Sequence, residues 1–232
     1  MCVVALAWRA HPRWLLVLAG NRDELHARPS APLARWDDHT HIIAGRDLQA
    51  GGSWLGVSEQ GRVAAITNVR SETGHDPCKA SRGALVSDWL IGSGPSAAPT
   101  DEQLADYNPF NLFTVTSHEA VCATNAPRAV QKRLHPGIHS LSNGTVHAPW
   151  KRRDVIEATL ADWLKTDAND LGTLLARLRD NDTLFISDPT YGTRCVTVIA
   201  VDHEGRGVIL EQGFDALATE TLVSEFKFNW PY

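Results

Sequence analysis

A cysteine stands directly behind the initiator methionine, in Met1-Cys2-Val3-Val4-Ala5-Leu6-Ala7-Trp8. Methionine is removed readily when the next side chain is small, so the mature chain is expected to begin with Cys2. That terminus carries a thiol and a free α-amine on one residue. The amine has a reference pKa of about 7.7–8.0, so near neutral pH it can accept the thiol's proton. Nucleophile and general base then come from a single residue, and no histidine is needed. The next apolar run, Leu15-Leu16-Val17-Leu18-Ala19, ends in Gly20-Asn21-Arg22-Asp23-Glu24. Arg22 can favour the thiolate, and Asp23 can hold the amine by a charge-assisted hydrogen bond. A blander reading stands beside this chemistry: a buried N-terminal strand whose second residue is cysteine, a residue type often found in cores.

These residues need elements to position them. Residues 3–8 and 14–19 are apolar runs on either side of His11-Pro12-Arg13, the pattern of two strands joined by a tight turn. Residues 21–24 are expected to leave the second strand as a charged site at a sheet's end, or else as an exposed, ion-paired turn. Neighbours on an extended strand point to opposite faces, so Arg22 and Asp23 serve one site only if the chain bends there. Residues 28–38 carry two prolines and read as irregular. Residues 41–45 make a brief strand, and 53–58 with 62–69 a hairpin turning at Gly61. Ser81 caps a helix to about residue 91, and Thr100 with Gln103 forms a capping box. Residues 110–116 and 120–124 pair as strands. Helical periods follow over 150–164 and 171–178, then a short strand over 183–186. Residues 195–202 and 208–212 form a hairpin, and 225–229 a closing strand. Strands joined by hairpin turns, with helices between the runs, predict antiparallel sheets with helices packed outside them, an α+β protein.

Composition narrows the classes. The 232 residues are 43% hydrophobic, enough for a proper core, and composition reads as one large domain or two small ones, of which a single domain over 1–232 is adopted as the expectation. Net charge is −5 with both signs interspersed, which argues against nucleic acid or an anionic membrane as partner. No apolar run reaches the length of a membrane span, and the first run lacks a basic start and a small-residue cleavage site. A cytoplasmic location follows as the expectation. Cys2, Cys78, Cys122 and Cys195 are isolated, without C-x-x-C or metal-ligand spacing, so free thiols and no metal site are expected. His39 and His41 lack acidic or thiol partners at zinc-site spacing and read as solvated surface.

Further motifs run through the chain: Arg28-Pro29, Gly51-Gly52-Ser53-Trp54-Leu55-Gly56, Ala65-Ile66-Thr67-Asn68, Leu141-Ser142-Asn143 and Tyr191-Gly192-Thr193-Arg194. With Met-Cys and Asn-Arg-Asp-Glu they resemble, in order and over nearly the whole chain, the NRDE family, also called the Transport-and-Golgi-organisation protein 2 family. That family in turn resembles the N-terminal-nucleophile hydrolases, especially the choloylglycine hydrolase and penicillin acylase branch. The resemblance implies a four-layer αββα sandwich of antiparallel sheets. It implies catalytic roles for Cys2, with Arg22 and Asp23 as the supporting pair, Asn68 and Asn143 as oxyanion donors and Arg194 as a late arginine. Asn21, Trp54 and Thr193 are carried over as substrate-binding residues. The amidase relatives space their arginine and aspartate further apart than the adjacent Arg22-Asp23 here.

Two functions are expected from this. The first is a cysteine hydrolase or acyltransferase acting on a small amide or acyl thioester, with no cofactor required. The second is a non-catalytic protein of the same fold that binds or traffics haem or acyl-coenzyme A and lipid. Roles of that kind have been proposed for eukaryotic members. A haem would be held non-covalently, through the Cys2 thiolate or a histidine, with some of the eight tryptophans lining an apolar pocket. Sequence alone specifies no oligomeric state.

Overall fold

A computed structural model of the chain describes residues 2–71, 74–146, 148–166 and 170–231. The chain divides into two compact units, one of Met1–Arg28, His135–Ser140 and Trp150–Tyr232, the other of Pro29–Leu134 and Leu141–Pro149. Each unit is built on one sheet of antiparallel strands.

In the first unit the strand order is β10 (Gly137–Leu141), β1 (Cys2–Trp8), β2 (Trp14–Leu25), β11 (Tyr191–Asp202), β12 (Arg206–Phe214) and β13 (Glu220–Asn229). β1 and β2 pair antiparallel inside this sheet, as their apolar runs predict. Every residue of β1 is buried, which explains a run without polar alternation. One face carries Val3, Ala5, Val17, Ala19, Val196 and Val198, packed against helices α2 (Lys151–Lys165) and α3 (Leu171–Arg179). Ile156, Leu160 and Trp163 fall at helical spacing, so α2 lays one stripe on the sheet. Asp170 caps α3 by accepting the Gly172 N–H at 2.9 Å.

In the second unit the strands lie in chain order: β3 (Ser30–Arg35), β4 (Ile42–Asp47), β5 (Leu55–Ser58), β6 (Arg62–Asn68), β7 (Phe110–Val115), β8 (Ala120–Thr124) and β9 (Val130–Arg133). Helix α1 (Arg82–Ile91) packs on β4, β5 and β6 and ends at Gly92 in the left-handed conformation, φ 85°. Its first turn meets the Gly51-Gly52 segment closely. A Cβ on Gly52 would lie 2.4 Å from the Gly83 carbonyl carbon, so only glycine fits there. The Thr100–Gln103 capping box forms in both directions, at 2.8 and 3.3 Å, ahead of a 3₁₀ turn.

The structure corrects several expectations. Residues 21–24 do not leave the second strand, since β2 continues to Leu25. Residues 28–38, expected to be irregular, contain β3. Pro32 falls between Ala31 and Ala34, where the register with β4 shifts, and a proline without an N–H is tolerated at such an edge irregularity. Residues 183–186 form no strand. The Leu184 and Phe185 N–H groups both turn back to the Asn181 carbonyl, so local hydrogen bonding after α3 wins over a β-like composition. No helix among the described residues is long and apolar enough to cross a membrane.

Candidate active site

Strand register decides where each group lies. Cys2 is directly opposite Arg22, and Arg22 is directly opposite Cys195. The three side chains therefore stand abreast across β1, β2 and β11, on the face away from α2 and α3. Val3, Asn21 and Val196 form the next row and point to the helix face. Asp23 belongs with that second row. Because β2 stays extended, the side chains of Arg22 and Asp23 go to opposite faces. Asp23 nonetheless acts on Cys2 through its main chain, whose N–H favours the thiolate slightly.

On the helix face Asp23 is fixed from two sides. Its Oδ2 accepts from Arg152 Nη1 at 2.6 Å and its Oδ1 from the Thr193 hydroxyl at 2.7 Å. The Tyr191 hydroxyl donates to the Asp23 carbonyl at 2.8 Å. Arg152 Nη2 and Asn21 Nδ2 both donate to the Leu184 carbonyl, at 2.5 and 3.1 Å. The Asp23 side chain is wholly buried and that of Arg152 is 13% exposed. Burial pushes the Asp23 carboxyl above the ordinary carboxylate range, while Arg152 and Thr193 pull it back. Thr193 also accepts the Ile186 N–H at 2.9 Å, so its hydroxyl is engaged on both sides.

Sequence reasoning missed Arg152. The signal available was Lys151-Arg152-Arg153 at a helix start, where the helix dipole disfavours cations.

Burial pushes the Cys2 thiol above its ordinary value. The Asp23 carboxylate adds to the rise, and the chain's amino terminus, Arg22 and the Asp23 N–H oppose it. Burial and the Glu211 carboxylate push the Cys195 thiol up well beyond the ordinary range. Arg194 sits where the β2–β11 register shifts, and its Nη1 donates to the carbonyls of Leu25, His26 and Arg28 at 3.1, 3.1 and 3.2 Å. Burial lowers its pKa, and the nearby charge of Arg22 lowers it further.

The remaining expected residues lie in the second unit. Asn68 ends β6, and its carbonyl accepts from Asn143 Nδ2 at 2.7 Å. The Asn143 carbonyl accepts the Arg70 N–H at 2.9 Å, and the Thr67 hydroxyl donates to the Ser142 carbonyl at 2.8 Å. Residues 141–143 are thus stitched to the end of β6, with Asn143 Oδ1 buried and unpartnered. Trp54 is buried just ahead of β5, beside Ser53, whose hydroxyl donates to the Gly45 carbonyl at 2.8 Å.

A cavity of about 510 Å³ in this unit is lined by Ser71, Gly74, Asp76, Lys79, Asn108 and Pro109, none of the described lining residues being aromatic or histidine. Trp36, Trp89 and Trp163 spend their indole N–H on backbone carbonyls, as core tryptophans do. Among the described residues, no group of three or more His, Cys, Asp or Glu is placed to hold a metal ion.

An α+β fold of antiparallel sheets, with residue 2 at the head of an interior strand, is that of the N-terminal-nucleophile hydrolases. Solved structures share it at low sequence identity. The Caenorhabditis elegans N-acylethanolamine-hydrolyzing acid amidase ortholog superposes with TM-score 0.54 at 13% identity, over 85% of this chain and 92% of that one. A C2A mutant of conjugated bile acid hydrolase from Clostridium perfringens gives TM-score 0.56 at 9% identity, over 100% and 97%.

The chain belongs to the Transport and Golgi organisation 2 family, whose model matches residues 1–216. It is 28% identical over 276 residues to the Mus musculus Transport and Golgi organization 2 homolog, covering 99% of this chain and 100% of the relative. The Drosophila melanogaster Transport and Golgi organization protein 2 is 24% identical over 270 residues, 94% of this chain and 93% of that protein.

Proposed function

We propose that this protein is a cysteine N-terminal-nucleophile hydrolase or acyltransferase acting on a small amide or acyl thioester. Once Met1 is removed, the Cys2 amine takes the proton of its own thiol, and the thiolate attacks the acyl carbon. The amine then returns the proton to the departing nitrogen or sulfur, leaving an acyl group on Cys2 as a thioester. Water or a second nucleophile releases it by the same path. Asn68 and Asn143 are the proposed oxyanion donors, and Arg194 adds positive charge at the end of β2.

The observation that carries this reading is the placement of Cys2. It heads β1 opposite Arg22, beside an Asp23 that Arg152 and Thr193 fasten on the other face of the sheet. Two proteins of the same fold are named for hydrolysis, of N-acylethanolamines and of conjugated bile acids. Four cysteines without a disulfide fit a reducing compartment, and we place the protein in the cytoplasm. The test is intact-protein mass spectrometry after brief exposure to amide and thioester donors. An acyl adduct that maps to Cys2 supports the reading. Its absence from every donor, with the Met1-free protein confirmed, refutes it.

A further inference from the structure

Arg22 is an oddity by ordinary rules of burial. The residue is 8% exposed, and among the described residues no hydrogen bond or ion pair reaches its guanidinium. A buried cation without a partner is strongly unfavourable, and proteins normally pair such a charge. The neighbouring acids are engaged elsewhere. Asp23 lies on the opposite face with Arg152 and Thr193. Glu24 Oε1 accepts the Leu25 N–H at 2.9 Å. Glu211, beside Cys195, accepts the Thr197 hydroxyl at 2.7 Å. The two thiols flanking Arg22 are both pushed towards their neutral forms, so neither supplies the missing negative charge near neutral pH. Arg194 brings a second positive charge close by.

We propose that the Arg22 guanidinium, buried abreast of Cys2 and unpaired among the described residues, is the receptor for a carboxylate or phosphate group carried by the acyl donor. A planar guanidinium matches either group through two parallel hydrogen bonds. Directly opposed residues on adjacent antiparallel strands have Cα atoms about 4.5–5.5 Å apart, so a donor anchored on Arg22 presents a carbonyl a few bonds away to the Cys2 sulfur. The substrate class is then an anionic amide or thioester. The choice of an acyl donor rests on the acyl-transfer reading, but the anion site does not.

The test uses two alkylating agents that differ in charge. Iodoacetate and iodoacetamide are reacted with the whole protein, and the ratio of their rates is read at Cys2 and at exposed Cys78 by peptide mass spectrometry. The ratio at Cys2 is expected to exceed that at Cys78 by about tenfold or more, the range of a charge-assisted hydrogen bond. Arg22→Gln should bring it down to the Cys78 value, and Arg22→Lys should keep part of it. In the unaltered protein, acetate or inorganic phosphate should slow iodoacetate at Cys2 more than iodoacetamide. Whichever anion acts at the lower concentration tells a carboxylate from a phosphate ligand.

Equal ratios at the two cysteines, or a ratio unchanged in Arg22→Gln, overturns the proposal. Should Arg22→Gln fail to fold, lack of protection by both anions overturns it. A raised ratio without acyl adducts from any donor keeps the anion site and removes the acyl-transfer reading. Adducts from neutral donors with no raised ratio do the reverse.

Discussion

Arg152 and Asp23 form a buried pair joined at 2.6 Å, with side chains 13% and 0% exposed, and removing one partner strands the other. Arg152→Met is expected to destabilise the protein by about 3–5 kcal/mol, read from urea unfolding. Combining it with Asp23→Asn should cost less than the sum of the two changes, because they remove one interaction. Arg22 behaves in the opposite way. Arg22→Met removes a buried charge that is unpaired among the described residues, so the urea midpoint should stay level or rise. A large fall would show that Arg22 has a partner within the protein.

The thiols give a pH dependence of definite sign. The native state holds the Cys2 and Cys195 protons above the ordinary thiol pKa of about 8.5, where the unfolded chain releases them. Stability is therefore full below that pH and falls as pH rises, by up to about 1.4 kcal/mol per pH unit for each thiol. In Cys195→Ala the decline between pH 8.5 and 10 should be shallower, measured as the shift of the urea midpoint. At this scale sequence identified Cys2, Arg22 and Asp23 as chemically capable. It could not show that Asp23 turns to Arg152, because that partner lies 129 positions away and declares itself only through a misplaced cationic helix start.

Strand alternation turns one motif into two functions. In β2, Asn21 and Asp23 face α2 and α3, where they fasten the helix layer, and Arg22 faces the other way beside Cys2. Exchanging the pair, as Arg22→Asp with Asp23→Arg, would set an arginine against Arg152 and an aspartate on the Cys2 face. That double variant is expected to lose its far-ultraviolet strand signal at ambient temperature, while Arg22→Gln alone keeps it. A folded exchange variant would contradict the alternation. The elements legible in sequence were those marked by a continuous apolar run or a regular alternation: β1, the apolar part of β2, β4, the hairpin about Gly61, β7, β8, the hairpin of β11 and β12, part of β13 and helices α1 to α3. β9 was not legible because all four of its residues are exposed, so no pattern marks it. The end of β2 was read as leaving the sheet because charged residues rarely bury there. Arg152, Thr193 and Tyr191 satisfy Asp23 and its backbone, and no local pattern encodes those contacts.

For the molecule as a whole, the family and the fold were both readable from motifs spread along the chain, whereas the ligand was not. A binding role for haem stands beside the proposed catalysis as the second reading. Adding haem to the purified protein is expected to leave the Soret spectrum of haem in buffer. A shifted band saturating at one equivalent would support the haem reading instead.

The central claim is that Cys2 is the nucleophile only as a free N-terminus, and three forms of the protein test it most directly. They are the Met1-free chain, a chain with an uncleavable N-terminal extension, and Cys2→Ser. Each is given the same panel of amides and thioesters, with turnover followed and adducts mapped by mass. The account predicts acyl-Cys2 and turnover in the Met1-free form alone, with the extended form as impaired as Cys2→Ser. Turnover in the extended form equal to that of the Met1-free form would contradict it.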